Sequence, residues 1–112
     1  MFKNTTKEKL KNGQAVWGAM VYDYSISALE IFGHLGFDWL LLDNEHGHIT
    51  TQVFPQCVQS CESSNITPIV RPIGNTPEII RPFLDLGAHG IQAPQVQTAE
   101  EAKIIVDSVK YP

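Results

Sequence analysis

The sequence predicts an α/β protein with about four consecutive strand–helix units around a parallel sheet. Short apolar segments alternate with segments of helical periodicity, and turn or capping residues separate them. Polar side chains collect where the predicted strands end. Two closures fit this pattern: an open doubly wound sheet, or about half of a (β/α)8 barrel, because a complete barrel takes about 250 residues and this chain has 112.

The first unit follows a short helix predicted within the polar segment MFKNTTKEKLKNG, residues 1–13. Residues 16–22 form the first predicted strand. Residues 25–35 are predicted as the first crossover helix, because their apolar side chains recur on one helical face. Gly36 stands where a helix C-cap glycine belongs.

The second unit opens with residues 38–43, DWLLLD, whose unbroken leucines predict a strand buried on both faces. Thr50 is predicted as the N-cap of a helix over residues 51–63. Pro55 lies in the first turns of that helix and favours a later start. Asn65 is predicted to end it.

The third unit has a clear helix start. Residues 67–73, TPIVRPI, are predicted as its strand. The Thr-Pro-Glu segment at residues 76–78 combines an N-cap, a proline at the first helical position and an acid in the first turn. This helix is expected to run to about Leu86 and to end at Gly87.

The fourth unit completes the alternation. Residues 90–96 form its predicted strand, and the capping box at residues 98–101 opens a helix that runs to about Lys110. No linker or low-complexity segment interrupts the pattern. Residues 1–112 are therefore predicted as a single domain with a short N-terminal helix, and this domain is a partial one, a half barrel, if the sheet belongs to a (β/α)8 barrel.

Composition excludes several functional classes. The net charge is -4 and no basic patch is present, so a nucleic-acid partner is not expected. No apolar run reaches the roughly 18 residues of a membrane span, and the polar amino terminus is unlike a signal peptide. Cys57 and Cys61 lack partners for a metal or redox site and are predicted as two half-buried thiols of a cytoplasmic protein.

Polar residues accompany the ends of three predicted strands. Residues 43–46, DNEH, follow the second strand, Arg71 lies in the third, and Gln95 and Gln97 flank the end of the fourth. Both closures place ligands at the carboxyl ends of parallel strands, so this edge is the predicted site. The turn at residues 22–25, Tyr-Asp-Tyr-Ser, lacks the Gly-x-Gly-x-x-Gly fingerprint and argues against a dinucleotide.

His46 is the first candidate for a chemical role. It follows a buried strand, close to Asp43 and Glu45, and imidazole is the side chain best suited to exchange a proton near neutral pH. The alternative is a loop histidine that caps the next helix. His48 would make a metal site with His46 only if further ligands were present, so a loop or helix-start histidine is the preferred interpretation.

Arg71 is the second candidate. An arginine in a strand that should be buried is costly unless it meets an anion, and its planar fork suits a carboxylate held by two bonds. The alternative is an internal ion pair with Asp43 or Glu45. His34 and His89 lie near helix ends that face the amino ends of the strands, away from the predicted site, and are predicted to be structural.

Three segments together resemble the HpcH/HpaI aldolase/citrate lyase family, with the closest similarity to its metal-dependent class II aldolases. These are GFDWLLLDNEHG at residues 36–47, PIVRPIGNTPEIIRPFLDLGAHGIQAPQVQTAEEA at residues 68–102, and the closing KYP at residues 110–112. The resemblance runs from about residue 10 to the last residue. It implies a (β/α)8 barrel, and this chain corresponds to the amino-terminal half of that barrel. It also implies a homo-oligomer, since barrels of the family usually assemble into hexamers with exchanged helices.

The resemblance also implies an activity. The family cleaves 4-hydroxy-2-oxoacids to pyruvate and an aldehyde, or runs the reverse condensation, with a divalent metal (Mg, Mn or Co) that stabilises a pyruvate enolate. His46 matches its catalytic base, Arg71 the arginine that stabilises the enolate, and Asp43 the acid just upstream of the base. Asp85 matches the acid that assists the histidine.

Asp85 meets a geometric objection, because the carboxyl end of a barrel helix lies at the face opposite the active site. We therefore expect it to reach His46 only across a subunit interface of a homo-oligomer. Co-assembly of Asp85→Asn chains with His46→Ala chains tests this expectation, and mixed oligomers that recover no activity would count against it.

The sequence departs from the family pattern at several positions. The metal ligands of the family, a Glu and an Asp, come from later strands, so none is assigned here. Asn44 stands where many members have Gly, and His48 is a histidine that many lack. Three interpretations remain open: an aldolase that needs a carboxyl-terminal half, a catalytically inactive remnant or interaction module, and a small open-sheet binding domain.

Overall fold

Four strands form one parallel sheet in the computed structural model, which describes residues 2–110. The strands are β1 (Gly18–Val21), β2 (Trp39–Asp43), β3 (Thr67–Arg71) and β4 (Gly90–Ile91). The helices within the same residues are α1 (Thr5–Lys11), α2 (Ile26–His34), α3 (Phe54–Ser63), α4 (Pro77–Asp85) and α5 (Ala99–Val109). Met1, Tyr111 and Pro112 lie outside the described residues. The two ends of the predicted 1–112 domain and the last two residues of the KYP motif are therefore not described.

The strand order β1-β2-β3-β4 distinguishes between the two predicted closures. A doubly wound sheet reverses its strand order at a switch point, whereas successive strands of a (β/α)8 barrel are neighbours throughout. Here each strand pairs in parallel with the next one along the chain, and a helix connects them. The described residues therefore form an α/β half-barrel, as predicted.

The hydrophobic core lies between one face of the sheet and helices α2, α3 and α4. Leu40 and Leu42 of β2 contribute to it and are fully buried. Phe54 of α3 meets Phe83 of α4 edge to face, with ring centroids 5.1 Å apart. Leu41 points to the other face of the sheet and is buried as well, which confirms that β2 is covered on both sides.

Cys57 and Cys61 are more deeply placed than the sequence predicts. Both are fully buried in the core, and neither forms a disulfide. The expectation of half-buried thiols was wrong, because α3 turns the face that carries both cysteines inward. Burial raises the pKa of Cys57 to about 11 and that of Cys61 to about 12, so both remain protonated and unreactive near neutral pH.

Helix α1 packs against the amino ends of β2 and β3. The hydroxyl of Thr6 donates to the carbonyl of Asp38 at 2.9 Å and lies 2.8 Å from the hydroxyl of Thr67. The ammonium group of Lys9 contacts the Asp38 carboxylate at 2.6 Å. This helix therefore occupies the amino-terminal end of the half-barrel, and the polar edge predicted as the site lies at the other end.

The start of α3 differs from the prediction. Val53, and not Thr50, is the N-cap, and it forms no side-chain capping bond. Thr50 precedes a turn in which its carbonyl accepts the N–H groups of Val53 and Phe54. Pro55 occupies the first turn of the helix, where its missing N–H has no cost. The later start that Pro55 favoured is thus observed.

Strand β4 is two residues long, shorter than the predicted segment 90–96. The N–H of Gln92 still donates to the carbonyl of Val70 at 2.8 Å. Pro94 has no N–H to extend the ladder, and Gln95 adopts a left-handed backbone with φ +54°. The chain therefore leaves the sheet early and turns across its carboxyl edge.

The capping box of α5 is present in a modified form. The hydroxyl of Thr98 accepts the N–H of Glu101 at 3.1 Å, as predicted. The Glu101 carboxylate accepts the N–H of Gln97, at 2.7 Å, and not that of Thr98. Gln97 thus belongs to the start of α5. No helix within residues 2–110 is long and apolar enough to cross a membrane.

Candidate active site

Asp43 and Arg71 form the centre of the polar edge. They end β2 and β3 and stand opposite each other in the parallel register. Oδ1 of Asp43 accepts Nε of Arg71 at 3.1 Å, and Oδ2 accepts Nη2 at 2.7 Å. The Asp43 side chain is 0% exposed and that of Arg71 is 19% exposed. The internal ion pair considered for Arg71 is therefore present. Nη1, the remaining guanidinium nitrogen of Arg71, forms no hydrogen bond within residues 2–110.

The pair stabilises the charged form of both side chains. Burial by itself would raise the pKa of Asp43, but hydrogen bonds from Arg71 and from two backbone N–H groups outweigh burial and hold that pKa below its ordinary value. The hydrogen bond to Asp43 raises the pKa of Arg71. A positive charge is therefore fixed at the carboxyl end of β3.

The contribution of Asp43 to stability should disappear in acid. Its pKa in the folded chain lies below the ordinary 3.8, so the native state binds fewer protons than the unfolded state, and the stabilisation is present above pH 3.8 and lost as the pH falls below it. Urea unfolding of wild type and Asp43→Asn should give free energies that converge below about pH 4. A difference that stays constant from about pH 7 to about pH 3 would contradict this assignment.

The loop after β2 is anchored to Asp43 and to the segment after β3. Oδ1 of Asp43 accepts the N–H of Glu45 at 2.9 Å and that of His46 at 3.3 Å, the local pattern of an Asx turn. Oδ1 of Asn44 accepts the N–H of Ile73 at 3.0 Å. Asn44 thus has a structural role in this loop that Gly, the residue expected here from the family resemblance, could not fill, because Gly has no side chain to accept this bond.

Gly47 lies in the same loop, at a position where no side chain fits. A Cβ there would lie 2.6 Å from the carbonyl oxygens of both Asp43 and Tyr22. Because both atoms belong to the backbone, Gly47→Ala should lower the free energy of unfolding in urea by about 1–3 kcal/mol. Gly90→Ala is the matched control, since its Cβ would approach Ile69 no closer than 3.4 Å. Equal losses in the two variants would contradict the prediction.

Glu45 connects three of the strand ends, a role that the sequence did not reveal. Its Oε1 lies 3.5 Å from Nε of Arg71 and 3.2 Å from Nε2 of His46. Its Oε2 accepts Nε2 of Gln95, from the segment after β4, at 3.3 Å. The side chain is only 9% exposed. An acid directly before a candidate histidine was the available signal, but sequence spacing cannot show which groups other strands bring to it.

His46 lies at the surface of this cluster, with its side chain 69% exposed. Nε2 faces Glu45, and Nδ1 forms no hydrogen bond within the described residues. A ring held at one nitrogen and open at the other suits proton exchange with a ligand at the mouth of the half-barrel. Asp43 supports His46 through the backbone, because its carboxylate holds the His46 N–H and not the ring.

His48 faces away from this cluster, toward the end of β1. Its N–H donates to the carbonyl of Tyr22 at 2.6 Å, and its Nδ1 lies 2.7 Å from Oδ1 of Asp23. Both side chains of this pair are largely exposed. His46 and His48 therefore contact different carboxylates, and His48 occupies the loop position that was preferred for it.

The remaining candidates lie outside the polar edge. Nε2 of His89 lies 2.9 Å from Oε1 of Glu62, and His34 is exposed at the end of α2, in line with structural positions for both histidines. Asp85 is exposed at the last residue of α4 and forms no ion pair with His46 in this chain. Its pairing with His46 of another subunit stays a prediction.

The described residues do not fit a divalent metal centre. Within residues 2–110, no group of three or more His, Cys, Asp or Glu side chains is placed to hold an ion. Both carboxylate oxygens of Asp43 accept hydrogen bonds from the guanidinium of Arg71, so this carboxylate is already occupied. The polar edge therefore places an exposed imidazole and a guanidinium in one cluster, without a set of metal ligands among residues 2–110.

Known proteins resemble the chain in sequence and in structure. The hydroxypyruvate/pyruvate aldolase of Roseobacter denitrificans is 39% identical over 110 residues, which cover 97% of this chain and 43% of that protein. The 2-keto-3-deoxy-L-rhamnonate aldolase of Escherichia coli is 32% identical over 112 residues, with 100% and 42% covered. The crystal structure of an HpcH/HpaI aldolase from Desulfitobacterium hafniense has a TM-score of 0.85 and 30% identity, with 95% of this chain and 41% of that chain covered.

The chain thus spans about two fifths of the length of the relatives that it matches. The family model described as HpcH/HpaI aldolase/citrate lyase matches residues 21–112, which include all four strand–helix units except the first residues of β1. The chain belongs to the HpcH/HpaI aldolase/citrate lyase family.

Proposed function

We propose that this chain supplies the proton-transfer side of an aldolase site that cleaves 4-hydroxy-2-oxoacids to pyruvate and an aldehyde, or catalyses the reverse condensation. The observation that carries the proposal is the fixed cation of Arg71, held by buried Asp43, in one cluster with the exposed ring of His46. Support comes from relatives named for aldol chemistry on pyruvate and on a 2-keto-3-deoxy sugar acid.

The roles follow from the chemistry of the cleavage. His46 takes the proton of the substrate 4-hydroxyl, the bond between C3 and C4 breaks, and the aldehyde leaves. The electron pair of that bond moves onto the pyruvate fragment, which becomes an enolate with its negative charge on the keto oxygen. Nη1 of Arg71, which has no hydrogen bond within residues 2–110, is the donor for that charge. Protonation of the enolate carbon then gives pyruvate.

A second candidate function is a catalytically inactive member of the family that serves as an interaction module. The observation that favours it is the lack, within residues 2–110, of any group of acidic, histidine or cysteine side chains placed to hold a metal.

Under the aldolase proposal, the Mg, Mn or Co ion implied by the family resemblance would take its ligands from residues of a complementary barrel half or of another subunit.

An aldol cleavage assay separates the two candidates. Pyruvate release from a 4-hydroxy-2-oxoacid is followed with lactate dehydrogenase and NADH, with and without Mn²⁺ or Mg²⁺. The protein is tested alone and with the carboxyl half-barrel of a relative. Metal-stimulated release in either setting that disappears in Arg71→Ala supports the aldolase, and activity of the chain alone excludes the inactive module. No release in both settings would overturn the aldolase proposal.

A further inference from the structure

The half-barrel has two open sheet edges. Within residues 2–110, β1 and β4 each pair with only one neighbouring strand, so one side of each backbone has no strand partner. An uncovered edge of this kind is a template for pairing with another chain. A closed (β/α)8 barrel has eight parallel strands, and the described residues supply four of them.

The edge at β1 is bordered by exposed apolar side chains. Trp17 lies directly before β1, and Ile31 and Leu35 lie one turn apart at the end of α2; all three are exposed. Ile26 and Glu30 of the same helix border a cavity that α3 lines on its other side. Ile31 and Leu35 therefore lie on the side of α2 that faces away from α3, and together with Trp17 they form what we call the β1-edge patch.

The edge at β4 is bordered by an apolar stripe on α5. Ala102, Val106 and Val109 recur at i, i+4 and i+7, so they share one side of this helix, and all three are exposed. Ser108, the buried residue of α5, lies on another side, and the helix packs against α4. An apolar stripe with this spacing normally faces a core. We call these three residues the α5 stripe.

A second copy of the chain offers the complement of both edges at once. If β4 of one copy lies beside β1 of the other, the α5 stripe covers the β1-edge patch, because a crossover helix lies over the strand that it follows and the next strand in the sheet. A twofold axis repeats this contact, or seam, on the opposite side, so that eight parallel strands close and no edge is left. A partner that closes this half-barrel needs both kinds of edge, and the chain itself carries both.

We propose that two copies of this 112-residue chain pair edge to edge into a closed eight-stranded barrel, with the α5 stripe of each copy against the β1-edge patch of the other. Because β4 is only two residues long, packing of the helices supplies most of the contact in each seam. All eight strands point in one direction, so both Asp43–Arg71 pairs lie at the same mouth of the barrel. The pairing does not depend on the proposed function.

Sedimentation velocity of the purified chain over a dilution series tests the pairing. The expected result is a species with twice the mass of one chain that dissociates on dilution. Val106→Lys places a charge in both seams and should raise the dissociation constant at least about tenfold. Ile104→Lys is the matched control, because Ile104 is 49% exposed, against 45% for Val106, but lies on another side of α5. It should change the dissociation constant by no more than about twofold.

Disulfide trapping tests the arrangement of the two copies without placing a charge in the seam. Leu35 at the end of α2 and Val109 at the end of α5 both lie toward the amino edge of the sheet. A mixture of Leu35→Cys chains and Val109→Cys chains should form a disulfide between copies, because each seam brings one of these positions to the other. Either variant alone should not, since its two thiols lie in opposite seams. Cys57 and Cys61 are fully buried and do not compete.

Three results would overturn the proposal. The first is a chain that stays monomeric at every concentration, including one that binds the carboxyl half-barrel of a relative instead. The second is an equal loss of affinity in Val106→Lys and Ile104→Lys, with both variants keeping the circular dichroism of the wild type. The third is efficient trapping within Leu35→Cys chains alone, which would mean that the copies meet through a different surface.

Discussion

His46→Ala should reduce the rate of pyruvate release by a factor of about 10²–10⁴, the usual contribution of a positioned general base. The variant removes the only imidazole at the centre of the polar edge in the described chain, while the Asp43–Arg71 pair and the loop backbone stay in place. The measurement is kcat in the coupled assay, made with whichever form of the protein, alone or complemented, releases pyruvate.

His34→Ala is the matched control for this prediction, because His34 is equally a surface histidine but lies at the end of α2. It should leave kcat within about twofold of wild type. A His46→Ala enzyme that works as fast as the His34→Ala enzyme would remove His46 from the proposed mechanism.

Asp43→Asn should lower the free energy of unfolding by about 2–3 kcal/mol. The substitution keeps the shape of the side chain but leaves the Arg71 charge without its partner, and breaking one side of a buried ion pair costs about 3–5 kcal/mol. A loss at or just below the lower end of that range is expected because the Arg71 side chain retains 19% exposure and water can solvate it in part. Urea unfolding near pH 7, followed by circular dichroism, measures the change.

Asp107→Asn makes the same chemical change on the exposed surface of α5 and should alter stability by less than about 0.5 kcal/mol. If the two variants lose equal stability, the Asp43–Arg71 pair does not hold the carboxyl ends of β2 and β3 together. In that case Arg71 would also lack the fixed orientation that its proposed role requires.

The fold was largely predictable because local signals and tertiary structure agree. The leucines of β2, the Thr76 N-cap followed by a proline, and the glycines after α2 and α4 all specify local conformation, and the structure follows them. The predicted secondary structure was wrong where tertiary contacts determine the backbone conformation. The apolar period of residues 90–96 suggests a full strand, but Pro94 and left-handed Gln95 end the ladder after two residues.

The site was predictable in part for the same reason. Parallel strands bring their carboxyl ends to one edge, so an ion pair with Asp43 or Glu45 was the alternative considered for Arg71, and the register and the hydrogen bonds show the pair with Asp43. Glu45 was left without a role, because its partners Arg71 and Gln95 are distant in sequence and only the sheet order brings them together. The catalytic roles of His46, Arg71 and Asp85 stay predictions.

The most direct test of the aldolase account is the exchange of pyruvate methyl protons in D₂O, followed by proton nuclear magnetic resonance. This reaction passes through the pyruvate enolate alone and so does not require knowledge of the aldehyde. With Mn²⁺ or Mg²⁺ present, the protein, alone or with a complementary half-barrel, should exchange these protons, and Arg71→Ala should abolish the exchange. Exchange that is absent in every form, or equally fast without the Arg71 guanidinium, would contradict the claim that this edge stabilises an enolate.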